Sequence, residues 1–96
     1  MMKPRVAIFG SGLSGRAARR LALANGCDVT VFDEAGGGDA DSFGPAQLAE
    51  FERFVFSPGF AAWHPWRKLV VGSERRAQSE LSFAAEYWRG SIIGVT

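Results

Sequence analysis

Hydrophobic residues at the start of the chain fall in one block and then change period. Val6-Ala7-Ile8-Phe9 completes an apolar run over residues 5–9, bounded by Pro4 and Gly10. Such a run predicts a parallel strand covered on both faces. Over residues 13–25 the apolar positions Leu13, Ala17, Leu21 and Ala24 recur at helical spacing, with Arg16, Arg19 and Arg20 mainly elsewhere around the helix. Gly26 suits the position past its end. Residues 29–32 read as a second strand, which completes a βαβ unit with a right-handed crossover.

The pattern then breaks and resumes. Residues 35–44 (AGGGDADSFG) have no periodicity and predict a flexible, polar surface loop, with a lid over a ligand as the alternative. Residues 45–52 read as a short helix with Pro45 at its first position and Leu48 and Phe51 on one side. Residues 53–56 make a third strand, ended by Ser57-Pro58-Gly59. After an irregular start at Phe60, a helix begins at Pro65 and runs to about residue 71. Trp63 and Trp66 read as core or interface groups, and His64 as a structural or capping residue, since no Ser or Cys partners it for catalysis. A short strand follows near residues 76–78, and Ser79 caps a last helix running to about residue 89. Its apolar stripe is Leu81, Ala84, Ala85 and Trp88; residues 92–95 form a final strand. The sum is one α/β domain over residues 1–96, a Rossmann-like open parallel sheet of four to five strands with helices on both faces.

Chemistry gathers at one sheet edge. Gly10-Ser11-Gly12-Leu13-Ser14-Gly15 joins the first strand directly to the first helix. In such a loop the first glycine allows the bend, the second lets a phosphate approach the backbone, and the third lets helix and strand pack closely. The N–H groups around Leu13, Ser14 and Gly15 would face an anion, reinforced by the positive end of the helix. Asp33, eighteen residues past Gly15, ends the second strand beside Glu34, near the spacing at which an acid meets a ribose or base. Gly10, Asp33 and Ser57 thus each follow the C-terminal end of a parallel strand, the edge where open α/β sheets hold ligands.

Composition narrows the classes. A formal net charge of +1 argues against a protein that binds nucleic acid by bulk charge. Cys27 is alone, so no intrachain disulfide forms. No apolar run approaches the roughly 20 residues of a membrane span, and Lys3-Pro4-Arg5 does not open a signal peptide. The expectation is a cytoplasmic protein with neither nucleic acid nor membrane as partner. No metal-ligand spacing, nucleophile elbow or acid–base carboxylate pair is present, so the visible chemistry is binding.

Gly10-Ser11-Gly12-Leu13-Ser14-Gly15, Asp33, Ser57-Pro58-Gly59, His64-Pro65, Ser79-Glu80-Leu81 and Ile92-Ile93-Gly94-Val95-Thr96 occur in the order found in the Mur ligases. The chain resembles the N-terminal domain of that family through essentially its whole length. The resemblance implies part of an ATP-dependent, amide-bond-forming ligase of peptidoglycan synthesis. D-glutamate would be added to UDP-N-acetylmuramoyl-L-alanine through an acyl phosphate, with magnesium. This domain would hold the UDP portion and no cofactor, while ATP and magnesium would belong to the full-length ligase. Leu13 and Ser14 would meet the diphosphate; Asp33 and Glu34 would lie by the uracil; Ser57, Pro58 and Gly59 would wall the pocket. No catalytic residue and no metal ligand is implied within these residues. The family's ATP loop would follow Thr96, so the chain reads as a fragment of a three-domain ligase that lacks the central ATPase and C-terminal domains and is inactive alone. The Asp33–Ser57 stretch is shorter than the family pattern, Glu34 stands where a small hydroxyl is usual, and Ser82 replaces a second acid. Two rival readings use the same glycine loop: an NAD- or FAD-binding domain of an oxidoreductase, and a nucleotide-sensing module with no catalytic parent.

Overall fold

The structure, a computed structural model, describes residues 3–58, 60, 63–73, 75, 77–80 and 82–86. Its elements are β1 (Arg5–Phe9), α1 (Leu13–Ala24), β2 (Asp28–Phe32), α2 (Pro45–Leu48), β3 (Arg53–Phe56), α3 (Pro65–Gly72) and β4 (Ala77–Ser79). The four strands form one sheet in the order β2-β1-β3-β4, and every pairing is parallel. This is the expected α/β, Rossmann-like architecture. The expected fifth strand and the end of the last helix lie outside the described residues.

β1 is central, and its alternation divides the core. Val6 and Ile8 face one side with Val31, Val55 and Phe83, while Ala7 and Phe9 face the other with Phe32, Phe54 and Phe56. All four residues from Val6 to Phe9 are fully buried, as a strand covered on both faces requires. On the second face, register places Phe9 opposite both Phe32 and Phe56. The Phe9 ring stacks on Phe56 at 4.2 Å and on Phe32 at 5.3 Å between centroids, and Trp66 and Val70 of α3 cover this aromatic row.

α1 covers the first face with a stripe different from the one its spacing predicts. Gly15, Ala18 and Ala22 are buried, whereas Ala17 and Ala24 are exposed and Leu13 is 84% exposed. The cause is close approach: a Cβ at Gly15 would overlap the carbonyl oxygen of Gly10. A helix drawn that near to the sheet favours small residues at the contact, so Leu13 and Leu23 turn outward while Leu21, as expected, packs against the edge of the core. Gly26, with φ +78°, follows the C-cap Asn25 as expected.

Two further expectations are corrected. α2 ends at Leu48 rather than residue 52, because Phe51 is drawn into the core and Glu52 already bonds to Arg5 from both backbone and side chain. Among the described residues of the last helix the fully buried one is Phe83, which the predicted stripe did not include; Ala84 is half-buried and Ala85 exposed, and Leu81 lies outside the described residues. Burying a large ring gains more than burying an alanine, which accounts for Phe83 facing the sheet while Ala85 does not. Ser79 does cap this helix, its Oγ accepting the Ser82 N–H at 3.0 Å. Trp66 joins the core, whereas Trp63 is 72% exposed. Trp88 lies outside the described residues.

The loop after β2 is tied down rather than free. Asp39 N–H and Ala40 N–H both donate to Val31 O, Asp33 N–H donates to Ala40 O, and the Asp39 carboxylate accepts Val31 N–H. The segment folds back along the outer edge of β2, hugging it through Gly38, where a Cβ would lie 2.6 Å from Val31 O.

Candidate functional site

The strand order reverses between β1 and β3, since β2 lies on one side of β1 and β3 on the other. The C-terminal ends of those strands therefore flank the position where open α/β sheets bind ligands. Gly10 follows β1 and Ser57 follows β3, and the two meet: a Cβ at Gly10 would lie 2.6 Å from Ser57 Oγ. Gly10 also has φ +108°, a backbone that side-chain-bearing residues rarely adopt. Its N–H donates to Phe32 O at 2.9 Å, and Ser57 N–H donates to Phe9 O at 3.1 Å, locking both loops onto the strand ends.

Gly12 differs from its two partners. Its φ of −69° and ψ of −170° suit any residue, and a Cβ there would meet nothing within 4 Å. Packing thus explains Gly10 and Gly15, but not Gly12. As N-cap of α1, Gly12 supplies no side-chain bond, so the first N–H groups of the helix at Leu13, Ser14 and Gly15 have no side-chain cap. The Arg16 N–H is the first to return to the loop, donating to Gly12 O at 3.0 Å.

Asp33 lies at the end of β2, as expected, but its carboxylate turns to the glycine loop. Oδ2 accepts the backbone N–H of Ser11 at 3.1 Å and its hydroxyl, and Oδ1 accepts Ala35 N–H at 2.8 Å. The Ser11 hydroxyl, then the Ala35 N–H, hold the Asp33 pKa below its usual 3.8; burial pushes it up, and the Ser11 N–H adds the smallest lowering. Asp33 therefore braces the glycine loop.

Glu34 reaches across the edge to His64, whose Nε2 is 2.7 Å from Glu34 Oε1. His64 is the N-cap of α3: its Nδ1 accepts the Trp66 N–H at 3.1 Å, which fulfils the capping expectation. Phe60 stands beside the His64 ring at 4.4 Å and shares the core with Phe9 and Phe56. Pro58 is exposed in the turn after Ser57, and Gly59 lies outside the described residues. The structure thus brings Gly10, Ser11, Asp33 and Ser57 together, with Gly12, Leu13 and the Ser14 backbone at the open helix start.

Two links were not foreseen from sequence. The Ser11–Asp33 bond and the Glu34–His64 bridge join segments 22 and 30 residues apart. The only sequence signal for the first was the acid's distance from the glycine loop. Among the described residues no group of His, Cys, Asp and Glu is placed to hold a metal ion. Nor is any helix among them long and apolar enough to cross a membrane.

No family model matches the chain. No solved structure matches it either. Over 89 residues, 93% of its length, the chain is 28% identical to the UDP-N-acetylmuramoylalanine--D-glutamate ligase of Aquifex aeolicus (strain VF5). The chain spans 21% of that ligase's length.

Proposed function

We propose that this chain binds the UDP portion of UDP-N-acetylmuramoyl-L-alanine. It would be the substrate-holding domain of an ATP-dependent, cytoplasmic ligase that adds D-glutamate in peptidoglycan synthesis. The observation that carries the reading is Gly12. Its side chain is missing where neither backbone strain nor packing requires it, beside an uncapped helix start at the sheet's switch point. A diphosphate accounts for that open space, for it needs close backbone approach and unpaired N–H donors. The identity to the Aquifex ligase over nearly all of the chain supports uridine diphosphate over other nucleotides.

In this reading Leu13 and Ser14 donate backbone N–H groups to the diphosphate, and Ser57, Pro58 and Gly59 wall the pocket. Glu34 sits beside the base. Asp33 acts at one remove, fixing the glycine loop through Ser11. That engagement counts against an NAD-type domain, in which the acid must turn to the ribose hydroxyls. The domain itself holds no cofactor; ATP, magnesium and the chemistry belong to the central and C-terminal parts of the ligase. Calorimetric titration of this chain with UDP and with NAD tests the proposal. Saturable binding of UDP and none of NAD is expected, and the reverse would overturn it.

A further inference from the structure

We propose that the cleft between α1 and the loop after β2 is a second anion site, in which Arg16 and Arg19 take a phosphate group. The cleft measures about 170 Å³, with Arg16 and Arg19 from α1, Ser11 and Gly15 from the glycine loop, and Gly37, Gly38 and Asp39 from the loop after β2. It borders the glycine loop through Ser11 and Gly15, while its two arginines take no part in the UDP reading.

The argument starts from a conflict within α1. The helix carries Arg16, Arg19 and Arg20 and no acidic residue, although the whole chain carries only +1. Arg16 stands three and four positions before the other two, spacings at which like charges repel along a helix. It also lies at the end of the first turn, near the positive pole of the macrodipole, where a cation is disfavoured. Among the described residues none of the three arginines forms an ion pair or a side-chain hydrogen bond. A helix set against itself in this way is expected where a ligand supplies the compensation.

The walls favour a doubly charged oxyanion. Two guanidinium groups one turn apart offer paired N–H forks, which match the oxygens of a phosphate bidentately. The loop after β2 comes close to the glycine loop here, since a Cβ on Gly37 would sit 2.6 Å from Ser11 Oγ. Asp39 is the one acid in the cleft. Its Oδ2 is held by Val31 N–H at 2.9 Å, and it pairs with neither arginine. The Ser11 hydroxyl already donates to Asp33, so recognition of the anion falls to the two guanidinium groups.

Inorganic phosphate is the probe, followed by NMR through the arginine Nε–Hε signals and the backbone amides. Saturable shifts at Arg16 and Arg19 are expected, and Arg16→Gln with Arg19→Gln should weaken phosphate binding roughly tenfold or more. In phosphate-free buffer that double variant should be no less stable than the parent, since it removes repulsion. Repeating the titration with UDP in excess separates the two anion sites: phosphate should still reach the cleft. The proposal fails if phosphate shifts only the amides of Leu13 to Gly15, if UDP displaces it, or if the double variant binds it equally well.

Discussion

His64 meets Glu34 as a hydrogen-bond donor because its other ring nitrogen is already an acceptor. Nδ1 takes the Trp66 N–H, so the proton of the neutral ring sits on Nε2, 2.7 Å from Glu34 Oε1. The bridge joins the loop after β2 to the start of α3. His64→Ala should lower stability by about 1 kcal/mol, the usual worth of a helix cap. Glu34→Ala should cost at most about 0.5 kcal/mol, because the carboxylate is largely exposed. Urea unfolding of both variants separates the roles. Equal losses would mean that the bridge, not the cap, holds α3 in place.

Gly12 and Gly15 should respond oppositely to substitution. Gly15→Ala drives a Cβ into the Gly10 carbonyl and should destabilise the fold by about 3 kcal/mol. Gly12→Val places its Cβ in open space and should cost the fold no more than about 1 kcal/mol, the usual worth of a helix N-cap. On the proposed function it should weaken UDP binding by roughly tenfold or more, about 1.4 kcal/mol per tenfold. Undiminished UDP affinity in a folded Gly12→Val variant would make the loop a turn and nothing else.

The brace between Asp33 and Ser11 predicts an acid-side dependence. The folded-state pKa of Asp33 is lowered, so its contribution to stability is fully present above the usual 3.8. It is lost as pH falls from there through the lowered value. Ser11→Ala removes the hydroxyl that is the main cause and should move Asp33 back toward 3.8. Carboxyl carbon shifts followed through an acid titration measure this directly. An unmoved titration in that variant would assign the effect to the Ala35 and Ser11 N–H groups alone.

Phe83 is the test of the sheet's first face. It is fully buried with Val6, Ile8 and Val55, and Phe83→Ala should cost about 3–5 kcal/mol. Ala85→Ser, on an exposed position of the same helix, should change stability by less than about 0.5 kcal/mol. Similar effects from the two would mean that this helix does not pack on the sheet through Phe83.

What the sequence disclosed follows the range of the physics involved. Strand β1 and the Gly10–Gly15 loop were readable because their signals are local: an apolar block, a glycine pattern, a change of period. The meeting of Gly10 with Ser57 followed from topology, since parallel strands bring their C-terminal ends to one edge. The phase of α1 was not readable. It depends on how near Gly15 lets the helix come, and that distance, not the spacing of Leu13 and Leu21, decides which side chains fit. The same holds for Phe83, whose burial is settled by a sheet surface distant in sequence. Loop 35–44 looked free because hydrogen bonds to a strand edge leave no mark on residue periodicity.

That loop also closes part of one edge of the sheet. With Val31 and Asp33 already bonded to Asp39 and Ala40, the C-terminal half of the β2 edge has no backbone groups left for another strand. β4 stands at the opposite margin. Among the described strands, in-register growth of the sheet is thus blocked over the C-terminal half of β2, and the sheet's two margins are unlike.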